Sequence, residues 1–234
     1  MSELTVPSLG FTDRRVLGTL AEKALTLTGE GYPLTVNSLV TGCNQKSNRD
    51  PVTDLADDEV EESLERLRKA GLVDKLLLSG SNRTEKFKHK LYAAWSISKT
   101  ELAILTELLL RGSQTEGELR ARASRMDDIA DIEKLREQLK NLVERKMVVY
   151  LTPEGKRGTI LTHGLYEPDE LADERRRFAG GAVSDSPPTS RATGSSVSEL
   201  QSQIADLKQQ VERLTTEVRE LQRIVNSTPK SGGV

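Results

Sequence analysis

A mainly α-helical fold with small β-hairpins (α+β), built twice and followed by a helical tail, is what the 234-residue sequence predicts. Three observations predict it. First, between Thr12 and Ala93 three stretches with apolar residues at helical spacing lead into two extended stretches. Second, the same order returns roughly 75–90 residues further on. Third, residues 196–226 keep an unbroken heptad.

Taken in order, Thr12 can cap a helix from Asp13 with Val16, Leu17, Leu20, Ala24 and Leu27 on one face. Gly29-Glu30-Gly31 breaks it. Thr35 caps a short helix carrying Val36, Leu39 and Val40, and a third runs from Asp57 to Ala70 with Val60, Leu64 and Leu67 inward and Gly71 as its stop. Leu72–Leu78 and Thr84–Ala93 form a hairpin around Gly80-Ser81-Asn82. Short helix, loop, longer helix, glycine and hairpin is the order of a winged helix, with the hairpin as the wing.

The second copy opens with a Ser98/Glu101 capping box and a helix ending at Arg111-Gly112. Gln114–Leu119 answers Leu34–Leu39, and a helix over Asp131–Lys146 turns Ile132, Leu135, Leu139 and Leu142 inward. Met147–Leu151 answers Leu72–Leu76, and a second hairpin turns at Pro153-Glu154-Gly155 and returns from Thr159 to Tyr166. Two tandem winged-helix domains, 1–95 and 96–166, are therefore expected, with Trp95 packed between them.

Residues 167–195 bring Gly180-Gly181, Pro187-Pro188 and many serines and threonines, a composition that reads as a flexible linker. In 196–226, Val197, Ile204, Val211, Val218 and Val225 take the a positions and Leu200, Leu207, Leu214 and Leu221 the d positions. β-branched residues at a with leucine at d favour a parallel two-stranded coiled coil, hence a homodimer. Residues 227–234 are expected to be a disordered tail.

The run Pro33–Val52 (PLTVNSLVTGCNQKSNRDPV) closely resembles the signature of the bacterial YceH family, and Leu108–Arg120 agrees as well. The resemblance covers about residues 10–166. It implies tandem winged helices in a cytoplasmic protein and leaves the biochemical role open. Alanine is more typical of the family at position 42 than Gly42.

Composition narrows the chemistry. Charged residues make up 30%, aromatic residues 3%, and the net charge is −2, which does not announce a nucleic-acid binder. No apolar run approaches the ~20 residues of a membrane span, so no membrane association is expected. The lone Cys43 excludes an internal disulfide, fits a cytoplasmic setting and reads as a small buried hydrophobe. His89 and His163 stand without partners at metal-ligand spacing, and no phosphate loop or nucleophile elbow occurs. An enzyme, a metal site and a cofactor are not expected.

A DNA-reading winged helix offers polar and basic residues from its third helix to base edges. Here that helix opens Asp57-Asp58-Glu59-Val60-Glu61-Glu62 and adds Glu65. Positive charge lies instead at Lys46 and Arg49, at Arg83, Lys86, Lys88, His89 and Lys90 of the wing, and at Arg120, Arg122 and Arg125. Asn44, Gln45, Lys46, Asn48 and Arg49 compose a polar loop of about a dozen residues where a helix-turn-helix needs about 3–4. Two functions fit. The favoured one is a dimeric, regulator-like DNA binder that grips phosphates through the wings and loop, with Asn44, Gln45, Lys46, Asn48, Arg49, Arg83, Lys86 and Lys88 as its contacts. The alternative is a non-enzymatic scaffold whose two heads hold a partner chain.

Overall fold

The computed structural model describes residues 7–27, 31–77 and 85–179, all within one compact unit spanning 1–183. The heptad positions Val197–Val225, the tail, linker residues 180–195 and Arg83 lie outside the described residues.

In the first half α1 is Phe11–Thr26, α2 Val36–Cys43 and α3 Asp57–Lys69; β1 is Val73–Leu77 and β2 Glu85–His89. Gly10, not Thr12, is the residue before α1, and no side chain caps that helix. Thr35 does cap α2, its hydroxyl accepting from the Ser38 amide at 3.2 Å. α3 has no side chain at its cap; the Glu59 carboxylate instead takes the Ala56 amide at 2.9 Å, and acidic residues fill the first turn. Gly71, at φ +74°, stops α3 in a left-handed conformation that a side chain disfavours. β1 and β2 pair antiparallel with Val73 opposite His89, and Leu34 bridges Phe87 on the far side. β2 does not run on to Ala93: Leu91–Trp95 form a short helix, α4, because Leu91 and Trp95, four residues apart, both turn into the core.

The second half repeats the order. α5 (Lys99–Arg111) carries the expected Ser98/Glu101 box, and a two-residue strand β3 (Gln114–Thr115) leads into α6 (Glu116–Ala123). α7 (Ile132–Glu144) is capped by Asp131, and β4 (Val148–Tyr150) and β5 (Ile160–His163) close a sheet in the order β3-β5-β4. The Leu34–Phe87 bridge and the β3–β5 pairing are the same contact in the two copies. Corresponding elements α1/α5, α2/α6, α3/α7 and β1/β4 begin at Phe11 and Lys99, Val36 and Glu116, Asp57 and Ile132, and Val73 and Val148.

The stretch after Glu167 is not wholly a linker, since Pro168–Ala179 form a helix, α8. Proline suits the first helical position, Asp169 and Glu170 sit in the first turn and Arg176 and Arg177 in the last, so the helix dipole is complemented at both ends. The Gly/Pro/Ser-rich composition begins only after Ala179.

One hydrophobic cluster runs through both halves, from Leu9 to Leu165, and includes Trp95. Its centre is the contact of α1 with α5. Every residue from Asp13 to Ala21 and from Glu101 to Leu110 is buried, so neither helix has a solvated side along its middle turns. Gly18 permits the close approach: a Cβ there would stand 3.0 Å from Leu110 Cδ2 and 3.1 Å from Leu109 Cβ. Each fully buried leucine or valine in this seam, such as Leu17, Leu20 and Leu105, contributes roughly 1.5–3 kcal/mol. The seam ends early, since Leu27, expected to face inward, is 41% exposed. Among the described residues, no helix is long and apolar enough to cross a membrane.

Candidate functional site

The polar loop between α2 and α3 is ordered by its own side chains. Asn44 follows the last turn of α2; its Oδ1 accepts from the Leu55 amide at 2.8 Å and the Thr53 hydroxyl at 3.1 Å, and its Nδ2 donates to the Leu55 carbonyl at 2.8 Å. One asparagine thus joins both ends of a long loop and supplies the backbone partners that a tight turn would otherwise provide.

Arg49 lies inside this loop. Its side chain is 0% exposed, and its guanidinium meets both oxygens of Glu22 on α1, at 2.6 and 3.1 Å. It also donates to the carbonyls of Gly42 at 3.0 Å and Asn48 at 2.8 Å. Arg15 of α1 reaches the same loop from below, donating to the carbonyls of Cys43 at 3.2 Å and Pro51 at 2.7 Å. Burial, helped by the nearby Arg49 charge, pushes the Arg15 guanidinium below its ordinary value, although Cys43 and Asp50 oppose this. Burial alone would raise Glu22, yet hydrogen bonds and charge from Arg49, with Lys23 assisting, hold its carboxyl below the usual range. Cys43 is fully buried, its thiol 3.5 Å from the Thr19 hydroxyl and pushed up by burial.

The loop also reaches the second half. Asn48, in the left-handed region at φ +59°, accepts on Oδ1 from Arg111 at 2.6 Å and Arg125 at 2.9 Å. The Asp50 amide donates to the carbonyl of Leu110 at 3.0 Å. Behind Asn48 lies Glu107 of α5, 3% exposed, with Arg111 at 3.2 Å and Arg125 at 3.6 Å. The Arg111–Glu107 contact is an ion pair without hydrogen-bond alignment. Burial raises the Glu107 carboxyl, and the arginines around it offset only part of that. Arg122 is engaged with Gln114 and Glu118, and Arg120 with the carbonyls of Ile129 and Ala130. Of the loop residues singled out from sequence, Asn44, Asn48 and Arg49 therefore come together as a clamp between α1 and α5. Gln45 accepts from Lys23 at 3.4 Å, and Lys46 is exposed with no ion pair among the described residues.

Lys86 and Lys88 sit on the opposite face of β2 from buried Phe87 and His89, each half-exposed and without an ion pair among the described residues. His89 itself is nearly buried, and desolvation lowers it to about 4. α3 buries Val60, Ser63, Leu64 and Leu67, which leaves Asp57, Asp58, Glu61, Glu62 and Glu65 outward. Arg66 is drawn down to Asp13 of α1 at 2.8 Å, and only Arg68 and Lys69 soften the acidic face near its end.

The charges of the clamp on the helix side, buried Arg15 and Glu107 and part-buried Glu22 and Arg111, carry no motif. In sequence they look like the polar faces of amphipathic helices. The signal that could have found them is α5 itself: Leu102–Leu110 is apolar on more than one face, so its glutamate cannot reach water.

A family model described as "Protein of unknown function, DUF480" matches residues 9–157, a span that holds the first half, the second half through β4, and the whole clamp. The chain belongs to this family, which is also the UPF0502 or YceH family. A UPF0502 protein of Rhodopirellula baltica is 42% identical over 188 residues, 79% of this chain and 78% of its own length. One from Saccharophagus degradans is 37% identical over 93% of this chain and 96% of its own, and the YceH protein of Salmonella paratyphi C is 38% identical over 91% and 98%. Coverage of 93% of the chain leaves about 16 residues unmatched, so likeness to the family is not confined to 10–166 and reaches into the heptad segment.

Proposed function

We propose that this DUF480 protein is a non-enzymatic, cytoplasmic scaffold: two tandem winged-helix heads, paired with a second copy through a C-terminal coiled coil, that hold a partner protein. The observation that carries the reading is the outer face of α3. In a DNA-reading winged helix this surface enters the groove, whereas here it presents Asp58, Glu61, Glu62 and Glu65. Four carboxylates aimed at phosphates repel them, and no counterion release can drive binding there. The loop cation best placed to compensate, Arg49, is spent on Glu22. A partner with a basic segment suits the same face. Heptads at 197–225, a segment into which the match to one relative reaches, support the dimer, and two heads on one coiled coil raise avidity for a repeated or paired partner.

A second reading rests on the wing. Lys86 and Lys88 face outward without ion pairs among the described residues, which suits phosphate contact without base reading. Photo-crosslinking in cells separates the two. A crosslinking residue at Glu61 gives a discrete protein adduct if the scaffold reading holds. A nucleic-acid adduct from Lys88, with none from Glu61, supports the wing reading and overturns the first.

A further inference from the structure

A cleft of about 380 Å³ opens beside the clamp, between the start of α1, the end of α5, β5 and α8. Its inner wall holds a cation and aromatic rings. The Arg14 guanidinium, 4% exposed, lies 4.6 Å over the Tyr166 ring, which in turn stacks on the buried His163 at 3.9 Å between centroids. Phe11 stands at the rim and is 38% exposed, its ring 5.4 Å from the Arg15 guanidinium and 6.0 Å from that of Arg14. Arg111 and Arg177 line the same space with Asp50 and Glu174, and Arg177 pairs with Glu174 at 2.6 Å.

The charge on Arg14 is met from one direction only. NH1 donates to the Leu9 carbonyl at 2.5 Å, and the fork receives both oxygens of Glu170, at 2.6 and 2.9 Å. Glu170 comes from α8, a helix that adds no residue to the hydrophobic cluster. Besides this pair, α8 bonds the body of the fold through Glu174, whose carboxylate accepts from the Ser113 hydroxyl at 2.7 Å. A helix with no fully buried residue, held by two carboxylate contacts and the half-buried Leu171 and Phe178, opens at lower cost than the elements of the core. A buried guanidinium left behind is costly, so it recruits another anion.

We propose that this cleft is a binding site for a small aromatic carboxylate, with Arg14 as the carboxylate fork, Tyr166 and Phe11 as the ring-contacting surfaces, and Glu170 as a tethered occupant that the ligand displaces. The volume falls in the range of small-molecule sites, and the planar bidentate seat on Arg14 is already shaped to a carboxylate by the one that occupies it. Ligand binding therefore releases α8 from the body of the fold.

Calorimetric titration of the full chain with 1-naphthoate, and with the uncharged 1-naphthamide, tests this. Replacing Glu170 by Gln removes the internal competitor but keeps the helix. Naphthoate then binds roughly ten- to a hundredfold more tightly than to the parent, as expected for deleting one charge-assisted competing contact, while naphthamide gains nothing. Ser113→Ala, which loosens the second α8 contact and leaves Arg14 untouched, gives a smaller gain in the same direction. Equal naphthoate affinity in parent and Glu170→Gln, equal affinity for acid and amide, or no binding to either chain overturns the proposal.

Discussion

Replacing Arg49 by Ala is the sharpest perturbation of the clamp. The substitution removes a fully buried guanidinium that makes four hydrogen bonds, two to Glu22 and one each to the Gly42 and Asn48 carbonyls. What remains is the Glu22 carboxylate, 13% exposed, with only Lys23 nearby at 3.2 Å. Breaking a buried pair in this way costs about 3–5 kcal/mol, and the surviving Lys23 contact places the effect near ~3 kcal/mol. Against a total of about 5–15 kcal/mol that is a large fraction of the stability of the unit. Urea denaturation followed by circular dichroism reads it as a fall in midpoint, with Lys46→Ala as the exposed neighbour and an expected change within about 0.5 kcal/mol. A double-mutant cycle with Glu22→Gln then gives a coupling of about 0.5–3 kcal/mol. If Arg49→Ala and Lys46→Ala shift the midpoint equally, Arg49 is a surface cation and the clamp is wrong.

Further outcomes follow from other contacts. A Cβ at position 42 would meet Thr19 Cγ2 at 2.7 Å, so Gly42→Ala costs about 1–3 kcal/mol by overpacking, and adding Thr19→Ser, which deletes that methyl, recovers most of it in the same denaturation assay. The pH dependence is set by two buried histidines. His89 is lowered to about 4 and His163 to about 3 by burial, with Arg14 adding to the second. Both stay neutral in the fold and protonate only on unfolding, so their contribution is full above pH ~6.5 and is lost as pH falls towards the folded values. Between pH 7 and 5 the loss is about 2 kcal/mol per histidine, and calorimetry or denaturation finds proton uptake on unfolding rising from about half a proton at pH 7 to nearly two at pH 5. Glu22, whose folded carboxyl is depressed, adds a further loss below its ordinary value near 4.5, and that part of the pH profile flattens in Glu22→Gln. Sedimentation equilibrium compares the full chain with one ending at residue 183: a dimer and a monomer are expected, and a dimeric shortened chain contradicts pairing through the heptads.

Much of the element order was legible because it rests on local signals. Thr35, Ser98 with Glu101, and Gly71 mark helix ends by hydrogen bonds and backbone conformation that depend only on near neighbours. The repeat was legible for the same reason, since α3 and α7 carry matching apolar spacing. α8 was missed because its stabilising contacts, Glu170 to Arg14 and Glu174 to Ser113, join residues 156 and 61 positions apart. The loop gives the clearest case of a chemistry that spacing cannot assign. A sequence of Asn, Gln, Lys, Ser, Asn and Arg reads as a surface that grips something, and whether Arg49 grips phosphate or Glu22 depends on a helix residue 27 positions earlier. The α1–α5 seam leaves only one local trace, the all-round apolar run Leu102–Leu110 about Glu107; Arg15 has none, because an arginine in a helix normally faces water.

The most direct measurement is fluorescence anisotropy of a random-sequence DNA duplex titrated with the full chain at low and at moderate salt. The scaffold account predicts no saturable binding at micromolar protein in either condition, because the α3 face is acidic and Arg49 is internal. Micromolar binding that falls steeply with salt, and that disappears in Lys86→Ala with Lys88→Ala, would contradict it and make the wing a phosphate grip.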